Sequence, residues 1–214
     1  MAATIISRVI GLLYRSPLGE TIGNEGLGYY STASNLYTIL LLISSYSIPM
    51  AVSKIVSERL ALKEYRNAHR VFRGALLYAV IVGGIAALVA FFGGKFLLPY
   101  NQQNAILALR VLAPTIFFSA ILGVLRGYFQ AHSTMMPTSI SQIIEQIFNA
   151  AFSIGAAWFF IQQFATNDTE RAKFGAAGGT LGTGAGVLAG LCFMLLVYGV
   201  NRKSILRKAA KDTR

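Results

Sequence analysis

Four ionisable side chains, namely Arg8, Arg15, Arg110 and Glu145, stand within long apolar runs of this sequence, where a charge is costly to bury. Arg8 and Arg15 lie in the opening segment "SRVIGLLYRSPLG", and Glu145 lies in "SISQIIEQIFNAAFS". An ionisable side chain inside a membrane costs at least about 2.5 kcal/mol on insertion scales, so it normally faces a cavity or a partner. Arginine is suited to phosphate, because its planar guanidinium stays charged and contacts two oxygens at once.

The spacing of the two arginines allows two interpretations. Arg8 and Arg15 are separated by almost two helical turns, so both would face the same side of a helix about 10 Å apart. They would then form an anion site facing a cavity. Alternatively, each snorkels to the headgroups of one membrane surface. Arg110, near the start of a later apolar run, is expected to snorkel.

A polar stripe surrounds Glu145. Its members recur at three- and four-residue spacing on an otherwise apolar helix: Thr138, Gln142, Glu145, Asn149 and Ser153. The stripe either lines a cavity or joins helices by hydrogen bonds. An acid there could neutralise an arginine in the absence of substrate, or take part in cation coupling. A weaker polar run includes Asn35. The candidate substrate-binding residues are therefore Arg8, Arg15, Asn35, Gln142, Glu145 and Asn149.

Composition predicts an all-α polytopic membrane helix bundle. The chain has 214 residues, of which 55% are hydrophobic and only 13% charged, whereas soluble domains average roughly 25% charged residues. Apolar runs predict about six transmembrane helices, each close to the roughly 20 residues that cross a bilayer. They cover residues 2–17, 28–53, 72–94, 104–127, 138–162 and 178–201. Pro49 and Pro114 would kink the second and fourth spans.

The basic residues predict the orientation. The predicted loop 54–73 carries six Lys or Arg, and the tail 202–214 carries six more. With six spans both segments lie on one side, so the positive-inside rule places both ends of the chain in the cytoplasm. The net charge of +11 is then mostly a topology signal next to anionic membrane lipids, and nucleic-acid binding is not expected.

Nothing in the sequence indicates enzyme chemistry. The single cysteine, Cys192, excludes an internal disulfide, and no Ser–His–Asp set, carboxylate pair or metal-ligand pattern is present. No cofactor is expected. In the sixth span, glycines at four-residue spacing predict close helix packing; they are Gly178, Gly182, Gly186 and Gly190. Basic and acidic residues in a membrane bundle point instead to transport of a charged molecule.

Four segments over residues 3–162 resemble a known family of membrane proteins. They are "ISRVIGLLYRSPLG", "GYYSTASNLYTILLLISSYSIPMAVSKIVSERLA", "EYRNAHRVFRG" and "LRGYFQAHSTMMPTSISQIIEQIFN", the last being the most specific. They are similar to the polysaccharide-biosynthesis branch of the MATE-like exporter superfamily, which includes lipid II flippases and the stage V sporulation protein B group. The resemblance implies about fourteen helices in two lobes that alternate between inward- and outward-open states. It also implies transport of an undecaprenyl-pyrophosphate-linked sugar across the bacterial cytoplasmic membrane, for cell-wall or polysaccharide export.

The resemblance also suggests residue roles. Arg8 matches a cavity arginine of the family directly, and Arg15 matches a second one approximately. Some members have an acid near the start of the second span, where this chain has Leu27 to Tyr30, so we infer that Glu145 supplies the acid. Six spans correspond to one lobe, so the chain is expected to be a fragment whose partner is the carboxy-terminal lobe. The alternatives are a cation-coupled drug exporter of the same superfamily and an inactive membrane fragment.

Overall fold

The computed structural model describes residues 2–210, with side chains from Thr4 onward. Within this part the chain forms seven α-helices. Their bounds are α1 Ala2–Leu13, α2 Arg15–Ser44, α3 Ile48–Ala61, α4 Tyr65–Leu97, α5 Ile106–Ala131, α6 Met136–Phe164 and α7 Asp168–Ala210, and a short 3-10 helix, Tyr100–Ala105, precedes α5. Lys211 and Arg214 of the predicted basic tail lie outside the described residues.

The fold is a polytopic membrane helix bundle, as predicted. Five helical segments are long and apolar enough to cross a membrane, namely Arg15–Ala61, Tyr65–Leu97, Tyr100–Ala131, Met136–Phe164 and Asp168–Ala210. The apolar helix at the start of the chain is shorter. Helix α5 continues through Pro114, which a membrane helix tolerates when neighbouring groups satisfy the freed carbonyl. The chain is therefore a multi-pass membrane protein.

Helix α2 folds back on itself within its first third. Gly23 has φ 76° and ψ 173° inside α2, a backbone conformation that is essentially confined to glycine. The hydroxyls of Tyr14 and Tyr30 lie 2.6 Å apart, although sixteen residues of straight helix would separate them by about 24 Å. The segment predicted as a loop between the first two spans is thus a helical hairpin with its bend at Gly23.

The first predicted span, residues 2–17, is interrupted in the structure. Helix α1 ends at Leu13 and α2 begins at Arg15. Pro17 has no N–H, and its ring crowds the carbonyl four residues earlier, which belongs to Leu13. Backbone hydrogen bonds resume from the Leu18 N–H to the Tyr14 carbonyl at 3.1 Å. The proline therefore bends the chain between α1 and α2, next to Arg15.

The predicted second span and the loop 54–73 also differ from the structure. Helix α2 ends at Ser44, and Pro49 lies in the first turn of α3, where its missing N–H has no intrahelical partner to lose. Helices α3 and α4 extend through most of 54–73 and are joined by a short turn. In that turn Lys63 has φ 60°, and Glu64 accepts hydrogen bonds from Arg59 and Asn67 at 3.0 Å.

Two apolar clusters fill the bundle, one towards each end. Tyr14, Leu18, Ile22 and their neighbours form the cluster beside the Gly23 bend. Val56, Phe72, Tyr128 and their neighbours form the other. At this second end, residues of α3, α4, α6 and α7, among them Leu60, Tyr65, Pro137 and Lys208, line one cavity. We call it the basic end, because the Lys- and Arg-rich parts of α3, α4 and α7 meet there.

Helices α6 and α7 pack at very short range, which confirms the packing predicted from the glycine spacing. A methyl group added at Gly182 would collide with Ser153, and one added at Gly178 would lie 2.5 Å from the Cα of Ala157. The Ser153 hydroxyl donates a hydrogen bond to the Gly179 carbonyl at 2.8 Å. Small residues thus allow the two backbones to approach and to form hydrogen bonds between helices.

Candidate functional site

A cleft of about 300 Å³ opens between α1, α5 and α6. Helix α1 contributes one face to it, at positions three to four residues apart, and α6 contributes part of the predicted polar stripe. The lining residues are Thr4, Ser7, Arg8, Gly11, Arg126, Gln142, Glu145 and Gln146. Gly11 brings α1 close to α6, since a methyl group there would lie 3.4 Å from Oε1 of Gln146. Polar side chains from three helices therefore converge on one space.

The centre of the cleft is an ion pair between α5 and α6. Nη2 of Arg126 donates a hydrogen bond to Oε2 of Glu145 at 2.7 Å. The two side chains are only 16% and 21% exposed. A charge-assisted hydrogen bond at this distance in a poorly solvated site is strong, and removing one partner leaves the other charge uncompensated.

Two further residues fix the position of the Arg126 guanidinium. Its Nε donates to the Ser141 hydroxyl at 2.9 Å, and that hydroxyl donates in turn to the Thr138 carbonyl at 2.8 Å. A methyl group at Gly190 of α7 would lie 3.6 Å from Nη2 of Arg126. The arginine is thus held in one orientation, with the exposed Arg8 lining the same cleft. Two guanidiniums and one carboxylate give the cleft a net charge of +1.

The structure brings together three of the six candidate residues. Arg8, Gln142 and Glu145 line the cleft. Arg15 and Asn35 are exposed on α2, and neither lines this cleft, because the Pro17 bend and the Gly23 hairpin direct α2 elsewhere. The substrate-binding role of these residues stays a prediction.

The polar stripe of α6 divides between the two interpretations. Gln142 and Glu145 face the cleft. Asn149 and Ser153 are buried against α7: a methyl group at Gly186 would lie 3.1 Å from Cβ of Asn149, and the Ser153 hydroxyl bonds to the Gly179 carbonyl. These two residues therefore belong to the packing of α6 against α7. Glu145, which faces the cleft, and Asn149, which faces α7, are only one helical turn apart. Their spacing in the sequence therefore could not show which of them faces the cleft.

Arg126 was missed as a candidate residue. It lies inside the predicted fourth span, in "LRGYFQAH", where an arginine carries the same cost as Arg110. Arg126 lies near the end of that span, and arginines at this position are typical of the membrane interface. Arg110 itself is exposed, and its guanidinium lies 5.6 Å from the centre of the Phe91 ring. The difference between the two arginines depends on their helix neighbours, which spacing along one helix does not give.

A comparison with known protein families decides the classification. The family described as "Polysaccharide biosynthesis protein" matches residues 1–210 of the chain. The chain belongs to this family. No solved structure gives a significant match.

Curated relatives of this family member come from Bacillus subtilis (strain 168). The chain is 27% identical over 171 residues to lipid II flippase MurJ, a match that covers 75% of this chain and 31% of the relative. It is 26% identical over 214 residues to stage V sporulation protein B, covering 97% of this chain and 39% of the relative. The uncharacterized membrane protein YabM is 24% identical over 198 residues, covering 92% and 35%. The chain spans between about a third and two fifths of the length of these relatives.

Proposed function

We propose that this chain forms one lobe of a flippase for a lipid-linked pyrophosphate sugar, such as lipid II or a related lipid-linked oligosaccharide. The observation that carries the proposal is the cleft in which Arg8 and the Arg126–Glu145 pair converge. Family membership supports membrane transport linked to polysaccharide synthesis. The name of one relative, a lipid II flippase, supports the chemical class of the substrate.

The charges of the cleft suit a pyrophosphate better than a neutral sugar. Arg8 is exposed and belongs to neither the Arg126–Glu145 nor the Arg59–Glu64 ion pair. Arg126 is already bound to Glu145, so an arriving pyrophosphate competes with that carboxylate for the guanidinium. Glu145 keeps the site paired while it is empty, and the substrate takes over the pairing as it binds.

The proposal includes an orientation and a partner. The basic end faces the cytoplasm according to the positive-inside rule, which puts both chain ends on that side of the bacterial cytoplasmic membrane. The cleft would then receive its substrate from the leaflet where lipid-linked precursors are made. A second set of helices, such as the carboxy-terminal lobe of a two-lobed flippase, would close the cavity and rock against this one.

Binding of a prenyl pyrophosphate tests the proposal. Purified chain in lipid nanodiscs is titrated with farnesyl pyrophosphate, with farnesol as the uncharged probe, in a calorimeter. Arg8→Gln and Arg126→Gln should each weaken pyrophosphate binding roughly ten- to hundredfold, since a hydrogen bond to a charged group contributes about 1.5–3 kcal/mol. Arg110→Gln removes the same charge from an exposed site outside the cleft and should change the affinity less than about twofold.

Folding is controlled separately, because Arg126→Gln leaves Glu145 without its partner. Arg126→Lys retains the charge, and Arg8→Gln alters an exposed side chain that a folded bundle tolerates. Equal loss of binding in Arg110→Gln, or unchanged binding in Arg8→Gln, would overturn the anion site. Tight binding of an organic cation by the wild type would favour a cation-coupled drug exporter instead.

A further inference from the structure

A second concave surface lies at the basic end, on the side of α4, α5 and α7. This groove has a volume of about 590 Å³, within the range of ligand sites in proteins. We call it the basic-end groove. Its lining residues are His69, Phe72, Arg73, Leu76, Ile121, Leu125, Leu195, Tyr198, Gly199, Arg202 and Leu206. None of them lines the cleft that contains Arg8.

The two arginines of the groove lie near one of its ends, and apolar residues line the rest of it. Helix α4 runs away from the basic end and α7 runs towards it, since Tyr65 and Lys208 meet there. Arg73 precedes Leu76 by about one turn on α4, and Arg202 follows Leu195 by about two turns on α7. Both arginines therefore lie towards the basic end of the groove, together with Leu206, whereas Leu76 and Leu195 line it deeper in the bundle.

The two arginines are exposed and carry uncompensated charge. Neither Arg73 nor Arg202 belongs to the ion pairs Arg59–Glu64 and Arg126–Glu145. Their helices are held together behind the groove by Phe72 and Tyr198, whose ring centroids are 5.4 Å apart. A rigid apolar floor next to two unpaired guanidiniums favours a ligand that has an anionic head and a hydrocarbon tail.

We propose that the basic-end groove is a binding site for one anionic phospholipid. Its phosphate lies between Arg73 and Arg202, and an acyl chain follows the leucines inwards. Basic pockets between transmembrane helices at the cytoplasmic surface have the charge and depth that lipid headgroups require. A lipid bound there would tie the carboxy-terminal part of α7 to α4, which stabilises the basic end of the bundle.

Native mass spectrometry of the purified chain tests this site. The probes are phosphatidylglycerol and phosphatidylcholine with identical acyl chains, so that only the headgroup charge differs. The wild type should retain phosphatidylglycerol preferentially. Arg73→Gln/Arg202→Gln should lower its affinity about thirtyfold, which is about 2 kcal/mol at about 1.4 kcal/mol per factor of ten. Arg70→Gln/Arg207→Gln removes two arginines from the same helices outside the groove and should leave binding within about threefold.

A second variant fills the groove without altering its charge. Gly199 lines the groove, and a methyl group added there would have no neighbour within 4 Å. Gly199→Leu should therefore fold and exclude the acyl chain, whereas Gly155→Leu, also in open space, should bind lipid as the wild type does. Equal loss in both arginine pairs would overturn the site in favour of diffuse attraction. So would an absence of headgroup preference, or preferential binding of a prenyl phosphate.

Discussion

At the scale of single residues, the function of the cleft depends on which partner Arg126 has. Glu145 binds it at 2.7 Å, and both side chains are mostly buried. A pair of this kind adds little net stability, because desolvation offsets most of the Coulomb attraction. The role of the ion pair is to neutralise the Arg126 guanidinium inside the bundle while no anionic substrate is bound. The acid is therefore expected to oppose substrate binding.

Replacing Glu145 with Gln tests this competition. Glu145→Gln removes the negative charge but keeps the size of the side chain and its amide oxygen as an acceptor. Farnesyl pyrophosphate should bind roughly three- to tenfold more tightly, because its phosphate oxygens no longer compete with a carboxylate for the guanidinium. Calorimetric titration of the variant in nanodiscs measures the change. Glu64→Gln, at the other ion pair, should leave the affinity unchanged, and weaker binding in Glu145→Gln would contradict the competitive role.

At the scale of helices, sequence patterns predicted length and packing better than they predicted bends. Apolar runs located the membrane helices, and glycine spacing located the contact between α6 and α7. The hairpin at Gly23 was not predicted, since "GETIGNEG" contains glycines and charges that are equally typical of a loop. For the same reason the basic segment 54–73 was predicted as a loop. Most of its charged residues lie on α3 and α4, and Lys63 and Glu64 form the turn between them.

The bend at Gly23 predicts that alanine substitutions at two glycines of α2 change the stability of the fold in opposite directions. Gly23→Ala forces an L-residue into φ 76° and should destabilise the fold by about 1–3 kcal/mol. Gly28→Ala lies in the helical part of the same element, in open space, and should stabilise it by up to about 1 kcal/mol through helix propensity. Thermal unfolding in detergent, followed by circular dichroism, measures both. Equal effects of the two changes would mean that Gly23 does not form the bend.

The contact between α6 and α7 gives a second prediction at this scale. Gly182→Ala places a methyl group against Ser153, so the helices must separate, and overpacking of this kind costs about 1–3 kcal/mol. Gly199→Ala is on the same helix, with nothing within 4 Å, and should be neutral or stabilising. The same unfolding measurement separates them. If Gly182→Ala unfolds like the wild type, the two helices are not packed at Gly182.

At the scale of the whole molecule, the two ends of the bundle differ in charge. The end opposite the basic one is formed by the Gly23 bend and the start of α7. Glu20, Glu25, Asp168 and Arg171 line one cavity there. The sequence could predict this asymmetry because the basic segments are long and contiguous. The cleft could be identified only from the structure, because it brings together residues that are more than a hundred positions apart in the sequence. No local sequence pattern connects such residues.

The charge asymmetry predicts which end is accessible from outside the cell. In a Cys192→Ser background, Thr169→Cys at the start of α7 should react with a membrane-impermeant maleimide applied to intact cells, because that end faces outwards under the positive-inside rule. Lys203→Cys and Lys63→Cys should react only after the membrane is permeabilised. All three positions are exposed, so a difference in labelling reports sidedness and not burial. Labelling of Lys203→Cys in intact cells, with Thr169→Cys protected, would show that the bundle has the opposite orientation in the membrane. The cleft would then receive its lipid from the outer leaflet.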